Sequence, residues 1–139
     1  MLSIFSAIPH EELVEVASLL SDCWAAPDER IVEQGELGDC LYVIASGSVR
    51  VHDGARTLAQ LGRKQFFGEL SLLDAEPRSA SVSATEETHL FRLGQSDFYA
   101  LVADHPQMVH AINRGLCRMV RGVLKLPTAW PRLSARAFK

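Results

Sequence analysis

A chain of 139 residues is enough for one domain and leaves no room for two large ones. With 47% hydrophobic and 22% charged residues it can bury a core, and no apolar run approaches the roughly 20 residues that cross a bilayer. The net charge of −3 hides a division: residues 1–105 hold all 17 acids and 7 of the 14 bases, whereas residues 106–139 hold the other 7 bases and no acid.

The opening residues lack the basic start, apolar middle and small-residue cleavage site of a signal peptide, so a cytoplasmic location is expected. Cys23, Cys40 and Cys117 are odd in number and widely separated, which indicates neither a disulfide framework nor a zinc site. Each reads as a small apolar side chain without an assigned function.

Pro9, followed by Glu11 and Glu12, marks a helix start, and Leu13, Val16, Ala17 and Leu20 recur at helical spacing. A helix is therefore predicted over residues 9–21, with Ile4, Phe5 and Ile8 packing a short turn ahead of it. From Trp24 to Leu93 the pattern changes to short strands at residues 30–33, 41–45, 48–52, 57–61, 79–85 and 88–93, separated by glycine-containing breaks. Val49 and Val51, and Ala80, Val82 and Ala84, alternate with polar neighbours, predicting one buried and one outward face. Many short strands with tight turns imply a mainly β domain, an antiparallel, jelly-roll-like β-roll with flanking helices. After Gly94 a short helix through Phe98, Leu101 and Val102 is predicted, capped near Ser96. A longer one follows Pro106 to about Leu126 and stops at Pro127. The domain is expected over residues 1–126, with a flexible basic tail at 127–139.

One segment interrupts the alternation. Phe67-Gly68-Glu69-Leu70 opens a helical turn through Leu73, and Pro77-Arg78-Ser79-Ala80-Ser81-Val82 closes the stretch. Gly68 lets the backbone approach a ligand where a Cβ would collide. The turn after it directs amide N–H groups outward, which suits an anion. Pro77 holds the approach to Arg78 extended, and Arg78 can offer a planar, permanently charged fork to a phosphate. The Ser79 hydroxyl and the amides of Ser79 and Ala80 are further candidate donors. Leu70, Leu72 and Leu73 read as anchors of the turn.

These residues, with Gly35, Gly38-Asp39, Tyr42-Val43-Ile44 and Ser46-Gly47-Ser48-Val49 upstream, resemble the cyclic-nucleotide-binding domain family over about residues 4–124. The resemblance implies a 3′,5′-cyclic nucleotide as ligand, cyclic AMP in preference to cyclic GMP, and no cofactor beyond it. By position it implies that Glu69 accepts a hydrogen bond from the ribose 2′-hydroxyl. Arg78 would neutralise the cyclic phosphate with amide donors around Ala80 and Ser79, and Gly68 and Leu70 are counted among the ligand-binding residues. Val51 and Ala59 would face the base. The C-terminal helices would fold over the base as a lid, with Asn113 or Arg114 reaching it. Members that have lost ligand binding commonly lack the Arg or the Glu; both stand here.

Arg114, Arg118, Arg121 and Lys125 share one face of the last helix. This suits an ordinary solvated face, or docking on an acidic effector protein or an anionic membrane; a homodimer is equally compatible. Two other functions compete with ligand sensing. The first is a structural or interaction domain of the same fold with an empty pocket. The second is a metal-dependent enzyme on a similar roll, against which His10, His52, His89, His105 and His110 stand dispersed, without a His-x-His pair. No nucleophile elbow or Cys/His pairing is present. Only 13 residues, two of them proline, follow Leu126, so no direct DNA binding by this chain is expected.

Overall fold

The computed structural model describes residues 4–124, so the expected tail, Lys125 and Leu126 lie outside the described residues. Helix α1 (His10–Ser18) is capped by Pro9, whose carbonyl accepts from the Leu13 amide at 3.1 Å. It ends three residues earlier than expected, because Ser21 already belongs to a strand. There follow β1 (Ser21–Ala25), β2 (Arg30–Val32), β3 (Leu37–Gly38), β4 (Cys40–Ser46), β5 (Ser48–Asp53), β6 (Arg56–Gly62) and β7 (Phe66–Phe67). A 3-10 turn (Glu69–Leu72) leads to β8 (Glu76–Pro77), β9 (Ser81–Ala84) and β10 (Thr88–Gly94). Helices α2 (Gln95–Asp104) and α3 (Gln107–Leu124) complete the described residues.

The strands form two four-stranded antiparallel sheets, β1-β10-β4-β7 and β2-β9-β5-β6, with β3 and β8 as a separate pair. This is the β-roll with flanking helices that the strand pattern implies. Ile44 and Leu90 of the first sheet bury against Val49, Val82 and Ala84 of the second. On the outer face of the first sheet, Leu41 and Leu93 join a second core. Its helical partners are Val16, Phe98, Met108, Ala111 and Ile112, and Ile4 and Ile8 pack the leading turn into it.

The sequence pattern misses β1 and the two-residue strands β3, β7 and β8. In β1 only Cys23 and Ala25 face inward, and neither carries enough apolar area to produce a clear alternation. Outward-facing Trp24 instead stacks on His89 of β10, 4.2 Å between rings. The expected outward face of the later strand is also corrected. Ser81 and Ser83 are buried, because β9 lies between β2 and β5 and polar partners cover it. The Ser81 hydroxyl accepts from the Gln34 amide (2.9 Å), and the Ser83 hydroxyl pairs with His52 Nε2 (2.8 Å). Ser79 and Ala80 precede that strand instead of starting it. Helix α2 is capped by Gly94 and not near Ser96. The Gln95 amide, the first of the helix, donates to the Asp39 carbonyl at 2.8 Å, which satisfies one of the free N–H groups of that end.

Leu90 is fully buried between the sheets. Leu90→Ala is expected to cost about 2–5 kcal/mol of stability, measured by urea unfolding; a cost below about 1 kcal/mol would show that the roll interior is not the close-packed core described here.

Candidate functional site

A cavity of about 650 Å3 opens beside the 3-10 turn. Its apolar wall comes from Val32, Val51 and Val82, one residue each from β2, β5 and β9. Its polar side comes from the stretch that interrupts the strand pattern. Seven of the sequence-assigned residues line it together: Val51, Gly68, Glu69, Leu70, Arg78, Ser79 and Ala80. Three do not. Ala59 is exposed on β6, opposite Val51 in the ladder, and is not among the lining residues. Asn113 and Arg114 are exposed on α3 and contribute nothing to the cavity wall. The reason is that the apolar stripe of α3 (Met108, Ala111 and Ile112) is committed to the core behind the first sheet. In this structure α3 touches the site from behind, through the core it shares with Leu72 of the turn, and does not cover it.

The turn has a mechanical origin. Gly68 takes φ +81°, a left-handed conformation that side chains resist, and so redirects the chain from β7 into the turn. A Cβ there would stand 2.6 Å from Arg78 Nη1 and 2.7 Å from the Cys40 carbonyl. Leu72 is fully buried, as an anchor should be, but Leu70 is 52% exposed at the cavity and anchors nothing. From α2, Gln95 Nε2 donates to the Ser71 carbonyl (3.2 Å) and the Tyr99 hydroxyl to the Leu73 carbonyl (2.7 Å).

Arg78 is fixed at both its backbone and its side chain. Its amide donates to the Glu36 carbonyl (2.7 Å), and its carbonyl accepts from the Gly35 amide (2.9 Å). Nη1 donates to Ser71 Oγ and Nη2 to the Cys40 carbonyl, each at 3.1 Å, with Cys40 Sγ 3.7 Å from Nη2. All these partners are neutral. Among the described residues no carboxylate lies within 4.0 Å of the half-buried guanidinium, whereas Arg30 has one at 2.9 Å from Glu33. A five-donor fork that makes these three contacts, one of them the long one to sulfur, keeps capacity for an anion.

Glu69 is half-buried at the same cavity, and its Oε2 accepts from the Ile4 amide at 3.3 Å. Burial raises its carboxyl above the ordinary carboxylate range, and the Ile4 hydrogen bond opposes that rise. No base pairs with it among the described residues, and its second oxygen can accept a further hydrogen bond. Among the described residues no group of three or more His, Cys, Asp or Glu is arranged to hold a metal ion.

Sequence reasoning missed Val32, Gly38, Cys40, Ser71, Gln95 and Tyr99. A hydroxyl seven residues before the arginine was visible as Ser71. The contacts of Cys40 and Gln95 depend on chain crossings that no local spacing encodes.

A family model described as "Cyclic nucleotide-binding domain" matches residues 23–105, more than half of the chain. The protein therefore belongs to the cyclic nucleotide-binding domain family. Among individual relatives, the cyclic AMP receptor protein of Thermus thermophilus is 46% identical over 96 residues, which are 66% of this chain and 44% of that protein. A cyclic nucleotide-gated potassium channel of Rhizobium etli is 32% identical over 111 residues, 80% of this chain and 31% of the channel. The chain thus spans less than half the length of these relatives. The N-terminal domain of a transcriptional regulator from Streptomyces coelicolor A3(2) superposes with a TM-score of 0.81 at 29% identity, covering 90% of each chain. The Thermus thermophilus catabolite activator protein gives 0.69 at 36% identity, covering 97% of this chain and 63% of that one.

The raised carboxyl of Glu69 has a sign that can be tested. A carboxyl whose folded-state value is raised carries stability below its unfolded value and loses it as pH climbs through the folded one. Ionised Glu69 therefore lowers stability at neutral pH. Glu69→Gln keeps an oxygen for the Ile4 amide and is expected to unfold at an equal or higher urea concentration than wild type near pH 7, with the difference closing as pH falls below 4.5. A variant clearly less stable than wild type at neutral pH would contradict this.

Proposed function

We propose that this domain is a non-catalytic sensor that binds a 3′,5′-cyclic nucleotide in the 650 Å3 cavity and prefers cyclic AMP to cyclic GMP. The observation that carries the reading is a half-buried guanidinium with neutral partners only, beside a cavity also lined by Glu69, whose carboxylate has the Ile4 amide as partner and no base among the described residues. A cyclic phosphate supplies the anion Arg78 lacks, and a free ribose 2′-hydroxyl supplies the donor Glu69 can accept. Gly68, Leu70, Ser79 and Ala80 line the same end and are assigned to the phosphate and ribose. The base is assigned to Val51 and its neighbours Val32 and Val82. This apolar wall favours adenine, because guanine brings additional polar groups that would lose water without a partner. The relatives carry both names, a cyclic AMP receptor protein and a cAMP-dependent protein kinase regulatory subunit as well as cGMP-dependent protein kinases, so the preference rests on the apolar wall.

Occupancy would be passed on through the C-terminal helices. Gln95 and Tyr99 of α2 hold carbonyls of the turn, and Leu72 of the turn shares a core with Met108 and Ile112 of α3. A ligand that draws the turn inward stabilises whichever helix arrangement accommodates it, in proportion to its differential affinity for the two states. The exposed basic face of α3 (Arg114, Arg118, Arg121) suits an acidic effector, and a membrane route is not required by it. No helix among the described residues is long and apolar enough to cross a membrane.

Calorimetric titration with both nucleotides tests the reading. Wild type is expected to bind cyclic AMP more tightly than cyclic GMP. Arg78→Ala should lose about 2–5 kcal/mol of binding energy, and Glu69→Ala about 1–3 kcal/mol. Equal affinity in wild type and Arg78→Ala, or no binding of either nucleotide by wild type, overturns the assignment.

A further inference from the structure

We infer that Ser71 is a positioning residue for Arg78, and that it works with the space left by Gly38 to hold the guanidinium ready for an anion before any ligand arrives. The inference rests on the assignment of Arg78 to the phosphate, and it names the groups that make that side chain competent.

Arg78 is long and rotamer-rich, so an unrestrained side chain would spend much of its time away from the cavity. Three features prevent this. Ser71 Oγ and the Cys40 carbonyl receive one N–H from each terminal nitrogen, both at 3.1 Å, which fixes the plane of the fork as well as its position. Gly38 and Gly68 flank the side chain: a Cβ on Gly38 would lie 2.4 Å from Arg78 Nε and 2.6 Å from Cζ. The backbone clamp at Gly35 and Glu36 fixes the origin of the side chain.

Of these partners Ser71 is the one that acts through a side-chain oxygen, so its hydrogen bond can be deleted without altering the backbone, whereas the Cys40 carbonyl cannot. Ser71 is itself placed by α2. Gln95 donates its side-chain amide to the Ser71 carbonyl, and its backbone amide to the carbonyl of Asp39, the residue next to Cys40. One residue thereby ties together the two segments that hold the two ends of the fork. Gly38 gives an independent handle. Its φ is not in the left-handed range, and the three atoms nearest a new Cβ all belong to the Arg78 side chain. Alanine there displaces the guanidinium, without backbone strain.

The test combines binding with a spectroscopic signature. Ser71→Ala is expected to weaken cyclic AMP binding about tenfold, as loss of a hydrogen bond to a charged group implies. Ser71→Thr, which keeps the hydroxyl, should restore most of it, and Gly38→Ala should weaken binding at least as much as Ser71→Ala. In an Arg78→Ala background the Ser71→Ala change should have no further effect, because no fork remains to be placed. Melting temperatures of the variants separate these effects from misfolding. In the unliganded protein, the Arg78 side-chain nitrogen resonances should be ordered in wild type and Ser71→Thr but mobile in Ser71→Ala. If wild type binds and Ser71→Ala binds as tightly, or if the Arg78 resonances are equally ordered in both, the positioning role is overturned while the proposed function stands. If wild type binds neither nucleotide, the proposed function fails, and the resonances alone decide whether Ser71 orders Arg78.

Discussion

A guanidinium taken partly out of water without a carboxylate beside it constrains everything around it. Such a charge costs several kcal/mol unless dipoles or an incoming anion replace the lost solvent. Here the replacement is partial. The Cys40 carbonyl and the Ser71 hydroxyl satisfy one N–H at each end of the Arg78 fork, and the remaining donors are left for a ligand. A nearby aspartate or glutamate would have stabilised the unliganded protein and competed with a phosphate. The acidic residues of the chain are numerous, yet none closes on this arginine among the described residues.

The fold explains how that arrangement survives. Two sheets pack through Val49, Val82, Ile44 and Leu90, and between β7 and β8 the chain departs from strand geometry into the 3-10 turn, beside which the cavity opens against Val51 of β5 and Val82 of β9. The turn is pinned on its inner side by Leu72, in a core built from α1, α2 and α3, and on its carbonyls by Gln95 and Tyr99. The binding surface and the helices are therefore one packed body. The proposed route from the turn to the helices runs through the core that Leu72 shares with them.

Much of this was legible in the sequence, and the boundary has a physical cause. The strands β4, β5, β6 and β10 were found nearly to the residue, because short β-rich runs stand between glycine-containing breaks, with β5 also showing a period of two through Val49 and Val51. Gly68, Glu69, Arg78, Ser79 and Ala80 lie in one short stretch of sequence, so their meeting at one cavity could be anticipated from the local motif. What escaped was non-local. Trp24 faces outward, so β1 showed no period. Ser81 and Ser83 looked solvent-facing until the Gln34 amide and His52 were seen to cover them. Ala59, Asn113 and Arg114 were assigned to the ligand from family position alone. Ala59 sits one strand outside the cavity wall, opposite Val51, and Asn113 and Arg114 lie on a helix whose apolar stripe is committed to the rear core, so none of the three lines the cavity.

The most direct measurement is a heteronuclear NMR titration of the intact chain with cyclic AMP, following the Arg78 Nε resonance together with the amides of Gly68 and Ala80. Saturable shifts of all three along one binding curve, with smaller shifts at Gln95 and Met108, are what the account predicts. Saturable shifts elsewhere that leave Arg78, Gly68 and Ala80 unmoved would contradict it.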